Sequence, residues 1–132
     1  MLSQEDIAKV LTVLDPSYGV DTLYVYGSQA SGRDRPGSDV DLAVILRDVP
    51  DAMALVRLRQ DLCECLNCEV DLVLIDHASP ILFMQVLRHG KVLVDANPLR
   101  RANLEARAFS EYADLRKIRA PVERALVRRH YD

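Results

Sequence analysis

Apolar positions recur at helical spacing in some segments of the chain and run almost without interruption in others. Between Ser3 and Asp15 they follow the helical period, and Ser3 with Asp6 resembles a capping box. Asp15 precedes a proline, which predicts the end of that helix. The predicted elements are a helix at Ser3–Asp15, strands at Val20–Tyr26, Val40–Leu46, Glu69–Ile75 and Lys91–Val94, helices at Asp51–Leu66 and Pro80–His89, and helical structure from Pro98, with Pro121 starting a last short helix.

Alternating strands and helices predict an α/β fold, with a sheet of about four strands and helices packed on it. The length of 132 residues fits one domain, 1–132, with an α/β core at 1–95 and C-terminal helices at 98–132. We expect two leucine- or alanine-rich stripes to face the core. They are Leu55, Leu58, Leu62 and Leu66 in the second helix, and Leu99, Ala102, Ala106, Phe109 and Ala113 after Pro98.

Composition and charge narrow the class of protein. Apolar residues make up 49% and charged residues 28% of the chain, as in ordinary globular proteins. No apolar run is long enough to span a bilayer, and the first ten residues are acidic, so we expect a cytoplasmic protein without a membrane partner. The net charge of −3 argues against a dedicated nucleic-acid binder, although residues 100–132 carry nine Lys/Arg against five Asp/Glu.

Three cysteines lie close together in the sequence, at Cys63, Cys65 and Cys68. A zinc site needs a fourth ligand, for which His77 is the nearest candidate. On a helix, however, Cys63 and Cys65 point in nearly opposite directions. We favour the interpretation that these are reduced residues at the edge of the core, near a helix end.

The segment most indicative of chemistry contains two carboxylates at the start of the second strand. Asp39 and Asp41 are two residues apart, so on a strand their side chains share a face. Two unpaired carboxylates at that separation repel each other, and each disfavours ionisation of the other. Their position beside a buried strand therefore favours a site in which bound divalent cations neutralise the two carboxylates.

The third predicted strand repeats this pattern. Val70-Asp71-Leu72 mirrors Val40-Asp41-Leu42, so pairing in that register would bring Asp71 beside Asp41. Three carboxylates at one end of the sheet could hold two Mg²⁺ ions roughly 4 Å apart, the arrangement used for in-line nucleotidyl displacement. Their hard oxygen ligands favour Mg²⁺ over zinc.

A Gly-Ser pair follows the first predicted strand. Gly27 allows close approach of a phosphate to the backbone, and Ser28 can donate a hydrogen bond to it. We predict a short helical turn and loop at 28–38, in which Arg33 or Arg35 could help to hold a triphosphate.

These motifs together resemble the nucleotidyltransferase superfamily that includes DNA polymerase β and kanamycin nucleotidyltransferase. The match consists of Tyr26-Gly27-Ser28-Gln29-Ala30-Ser31-Gly32 followed by Ser38-Asp39-Val40-Asp41-Leu42. The chain is most similar to the minimal nucleotidyltransferase antitoxins of HEPN/MNT toxin–antitoxin systems. The resemblance implies a polymerase β-like fold with a mixed sheet.

The resemblance also implies an activity. Asp39 and Asp41 would bind both Mg²⁺ ions and Asp71 would complete the catalytic metal site, while Gly27, Ser28 and Arg33 would bind the triphosphate of ATP. The partner would be an all-helical HEPN ribonuclease toxin, which the enzyme silences by transferring AMP onto a tyrosine hydroxyl. Two alternatives remain open at this point: an antitoxin that acts by binding alone, and a nucleotidyltransferase for a small molecule or an RNA end.

Overall fold

The computed structural model describes residues 2–27 and 39–131, with side chains described as far as Ile118. Four strands and four α-helices follow one another along these residues. They are α1 (Gln4–Tyr18), β1 (Val20–Tyr26), β2 (Val40–Leu46), α2 (Ala52–Leu66), β3 (Val70–Leu74), a 3-10 helix (Ile75–His77), α3 (Pro80–His89), β4 (Lys91–Asp95) and α4 (Pro98–Tyr131).

The four strands form one mixed sheet in the order β3-β2-β1-β4, which confirms the predicted fold class. β1 is antiparallel to both of its neighbours, β2 and β4. β2 and β3 are parallel, because the chain crosses from the end of β2 to the start of β3 through α2. The last residues of β1 therefore lie beside the first residues of β2, and these lie beside the first residues of β3.

Helices cover both faces of the sheet, so β2 is buried along almost its whole length. α1 and α2 pack on one face, where Val10 and Leu62 are fully buried among alternate residues of the strands. α3 and α4 pack on the other face through Phe83, Val86 and Ala108. The predicted leucine stripe of α2 is confirmed, since its four leucines belong to or pack against the first of these clusters.

Short polar side chains fix where the helices begin. The Ser3 hydroxyl accepts a hydrogen bond from the Asp6 amide, and the Asp6 carboxylate accepts one from the Ser3 amide, both at 3.1 Å. Asp51 caps α2 and Ser79 caps α3 in the same way through one bond each. These local bonds explain why most element bounds could be read from the sequence.

Two helix ends differ from the prediction, both at prolines. α1 continues past Pro16 to Tyr18, and α4 continues through Pro121 to Tyr131 as one helix. A proline inside a helix removes one N–H bond and its ring crowds the carbonyl four residues earlier, but it keeps φ near the helical value, and the remaining helical bonds outweigh the cost at both positions. The separate short helix predicted from Pro121 is therefore wrong.

The prediction for the inward face of α4 is also wrong. Leu99 and Phe109 are 73% and 53% exposed, and Ala102, Ala106 and Ala113 are exposed as well. The helix instead turns Leu104 and Ala108 toward the sheet. Its orientation is set near its start by Arg100, which reaches across the sheet end.

Arg100 joins three parts of the fold. Its guanidinium donates to the Asp21 carboxylate, to the Leu46 carbonyl and to the Asp76 carboxylate, each at 2.9 Å. Asp21 is a buried acid, and Arg100 provides its shortest ion pair among the described residues. The start of α4 is thereby tied to β1, β2 and the 3-10 helix.

Among residues 2–27 and 39–131, no helix is both long enough and apolar enough to cross a membrane.

Candidate active site

The predicted carboxylate pair lies where β1 ends and where β2 and β3 begin. In the parallel ladder between β2 and β3, Asp41 is the register partner of Asp71, as the repeated strand pattern predicts. In the antiparallel ladder on the other side, Asp41 is the partner of Tyr26. Since directly paired residues point to the same face of a sheet, the three side chains form one row across β1, β2 and β3.

The electrostatics of this row are unfavourable for two ionised acids. Burial, followed by the charges of Asp71 and Asp39, raises the pKa of Asp41 above its usual range. Asp41 is half-buried, whereas Asp71 and Asp39 are exposed. A divalent cation would remove the repulsion, and the available donors are carboxylate oxygens, which suit Mg²⁺.

Asp39 contributes charge to this site but lies outside the row. It precedes β2 and is exposed. Burial, then Cys63 and then the Asp39 carboxylate raise the pKa of the Cys68 thiol, so the charge of Asp39 acts on Cys68 as well as on Asp41. Within the ranges that the structure describes, no three His, Cys, Asp or Glu side chains are gathered closely enough to hold a metal ion. Asp41 and Asp71 are therefore brought together by the fold, while a three-ligand site requires the Asp39 side chain to turn toward them.

Gly27 is needed for a reason that the sequence did not reveal. It has a φ of +71°, and a Cβ built on it would overlap Oδ2 of Asp41. The backbone at the end of β1 thus lies directly against the carboxylate in the centre of the row. Gly27 makes room for Asp41 itself, whatever it also does for a phosphate.

Two predicted ligand-binding residues, Ser28 and Arg33, lie outside the described residues, as does the whole predicted turn and loop at 28–38. Their assignment to a triphosphate stays a prediction.

Tyr24 and Tyr26 share one face of β1 but have different surroundings. Tyr24 is buried, and its hydroxyl donates to Glu105 of α4 at 2.8 Å, so this residue packs in the core. Tyr26 is half-buried, and burial, followed by the charges of Asp71 and Asp41, raises its pKa to about 12. The signal in the sequence that could place Tyr26 on the face of the acids is the alternation of residues along β1.

The three cysteines lie at the end of α2, away from the row on the other face of the sheet. Cys63 accepts a hydrogen bond from the Val70 amide at 3.3 Å, and both Cys63 and Cys68 pack against the core. All three are free and half-buried. These contacts agree with the interpretation of reduced residues at the core edge near a helix end.

Known proteins that are similar to this chain include nucleotidyltransferases. The profile of the family described as polymerase beta, nucleotidyltransferase matches residues 7–99. The protein adenylyltransferase MntA of Shewanella oneidensis is 36% identical over 92 residues, which cover 70% of this chain. The aligned segment spans 65% of that relative's own length.

Solved structures resemble the chain over almost its entire length. A toxin–antitoxin complex with AMP-PNP contains a chain that superposes with a TM-score of 0.80 at 29% identity, covering 96% of this chain and 99% of that one. A complex of tri-AMPylated Shewanella oneidensis HEPN toxin with MNT antitoxin gives a TM-score of 0.75 at 26% identity, with 96% and 99% covered. The likeness therefore includes α4, which lies almost wholly beyond the family profile.

Proposed function

The chain belongs to the polymerase β-type nucleotidyltransferase family, and from this premise we propose that it is an antitoxin that transfers AMP from ATP onto a tyrosine hydroxyl of a HEPN toxin. The proposal rests above all on the pairing of Asp41 with Asp71 beside Gly27. The names of the similar proteins support the choice of acceptor, because one similar complex contains an AMPylated HEPN toxin.

The proposed activity uses two Mg²⁺ ions, and the paired Asp41 and Asp71 support a divalent-cation site. Asp41 and Asp71 offer adjacent oxygen donors, and the pKa of Asp41 is raised by burial and by its acidic neighbours, so a cation would relieve an existing cost. Asp39 would be the third ligand. Bound Mg²⁺ would neutralise charge on the triphosphate and lower the pKa of the acceptor hydroxyl.

The side chains then have distinct roles. Asp71 lies at the exposed end of the row, where an acceptor from another molecule can reach it, and it takes the proton of the phenol. The phenolic oxygen forms a bond to the α-phosphorus of ATP while the bond from that phosphorus to the bridging oxygen breaks. Pyrophosphate leaves toward Gly27, with Ser28 and Arg33 as its proposed ligands.

The test uses ATP labelled at the α-phosphate, Mg²⁺, this protein and the HEPN toxin proposed as its partner. We expect label on the partner with the parent chain and with Asp61→Asn, which removes an exposed charge on α2. Asp41→Asn and Asp71→Asn should each abolish labelling. Labelling that persists in both variants would contradict the proposed site.

A double variant separates catalysis from binding. If the parent chain inhibits the partner's ribonuclease activity without ATP, and Asp39→Ala/Asp41→Ala does so equally well, the protein acts by stoichiometric binding. Label that appears only on added RNA or small molecules would favour the other alternative acceptors.

A further inference from the structure

Tyr26 stands at one end of the row whose other members are acids. The two ladders place it next to Asp41, and Asp41 next to Asp71, all on the face covered by α3 and α4. Tyrosine is the one member of this row that carries a hydrogen-bond donor at neutral pH, since ionised carboxylates only accept.

Tyr26 packs against the hydrophobic cluster between the sheet and α3. This cluster contains Val86 of α3, and Leu87 of the same helix also packs against it. Gly90, directly after α3, lies so close that a Cβ built on it would be 3.3 Å from the Tyr26 Cβ and 3.0 Å from the Val25 carbonyl oxygen. The backbone after α3 thus fits against the end of β1, and Tyr26 has a defined position in the row.

A phenol is protonated at neutral pH, so the Tyr26 hydroxyl is a hydrogen-bond donor next to two acceptors in the row. Carboxylates that bind metals are commonly oriented by such an outer donor, and loss of that donor typically weakens metal binding about 10–100-fold.

We infer that Tyr26 is a positioning residue: it lies next to Asp41 in the row, and its hydroxyl is the donor that orients the Asp41–Asp71 pair when these carboxylates hold divalent cations. This inference rests on the proposed function, since it presupposes that the pair binds metal. It assigns Tyr26 no contact with the reacting atoms.

Tyr24 provides a matched control. It lies two residues earlier on the same face of β1, but its hydroxyl donates to Glu105, away from the acids. Tyr24→Phe and Tyr26→Phe therefore remove the same atom from the same strand. Only Tyr26→Phe removes it from the carboxylate row.

The experiment measures binding of Mn²⁺, a paramagnetic substitute for Mg²⁺, to the purified chain by electron paramagnetic resonance without nucleotide. The variants are the parent, Tyr26→Phe, Tyr24→Phe and Asp41→Asn, and urea unfolding in EDTA checks that each is folded. We expect Tyr26→Phe to raise the Kd for Mn²⁺ about tenfold. Tyr24→Phe should leave that Kd unchanged even if it lowers stability. In the labelling assay, Tyr26→Phe should raise the Mg²⁺ concentration needed for half-maximal transfer, with near-parent transfer at saturating Mg²⁺.

The outcomes separate the inference from the function on which it rests. Parent-like Mn²⁺ binding by Tyr26→Phe would overturn the role of Tyr26 and leave the proposed function intact. An equal loss in both Phe variants would also overturn it, since the effect would then follow the stability of β1. If the parent binds no more Mn²⁺ than Asp41→Asn, the metal site itself is absent, and both proposals are overturned.

Discussion

Gly27 and Asp41 are in such close contact that any side chain at position 27 would overlap the Asp41 carboxylate. Gly27→Ala would therefore both strain a backbone with φ of +71°, at about 1–2 kcal/mol, and displace Asp41. We expect a folded protein that has lost Mn²⁺ binding and AMP transfer, measured by paramagnetic resonance and by labelling.

Gly19→Ala is the control for backbone strain. Gly19 has a similar φ of +66°, but its added Cβ would meet only the guanidinium of Arg47, a flexible and largely exposed side chain. It should lower stability by a similar amount and leave transfer intact. Equal loss of transfer in both variants would show that strain at β1, and not the contact with Asp41, is responsible.

Asp41→Asn should stabilise the metal-free protein at neutral pH while abolishing transfer. Folding raises the pKa of Asp41 from its ordinary 3.8, so the folded state binds this proton more tightly than the unfolded state. The cost of ionising Asp41 therefore appears as the pH rises above 3.8 and is complete above the folded pKa. We expect the melting temperature in EDTA at pH 7 to rise by on the order of 2 °C.

The pH dependence is the sharper part of this prediction. The difference in melting temperature between Asp41→Asn and the parent should shrink as the pH falls through the folded pKa of Asp41, and it should vanish well below 3.8, where the Asp41 carboxyl is protonated in both states. Asp61→Asn, an exposed substitution on α2, should show no such trend. A constant difference across this pH range would contradict the electrostatic explanation.

Arg100→Met should destabilise the fold strongly. It leaves the buried Asp21 with only the longer contact to Arg47 at 3.7 Å, and it also removes the bonds to Leu46 and Asp76. Breaking a buried pair costs about 3–5 kcal/mol, and because the Arg100 side chain is 31% exposed we expect about 2–3 kcal/mol in urea unfolding. Arg107→Met, which breaks an exposed pair with Glu111, should cost less than about 0.5 kcal/mol.

The exposed stripe of α4 should contribute little to the stability of the chain alone. Leu99→Ser and Phe109→Ser change side chains that are mostly in solvent, so each should shift the free energy of unfolding by less than about 0.5 kcal/mol. Leu62→Ala, at a fully buried position, should cost about 2–5 kcal/mol. Comparable losses for Leu99→Ser and Leu62→Ala would show that the stripe is buried, as the spacing alone predicts.

The strands and most helix ends could be predicted because their causes are local. A capping side chain such as Ser3 or Asp51 bonds an amide three residues away, and buried strands such as β2 are continuous apolar runs. The adjacency of Asp41 and Asp71 was also predictable, because their strands repeat one sequence pattern and pairing like residues with like places the two acids side by side.

Tertiary structure decided what depends on distant parts of the chain. α4 has two apolar arcs, and the sequence does not say which one packs inward; Arg100 and Ala108 settle it through partners far away in sequence. The continuation past Pro16 likewise depends on packing that local rules do not include. Tyr26 faces the acids because two ladders align three strands, and Gly27 is required because Asp41 comes against it. The sequence alone determined the periodicities and the acidic motif, since neighbouring residues create them. Contacts between remote segments depend on how the whole chain packs, so only the tertiary structure decides them.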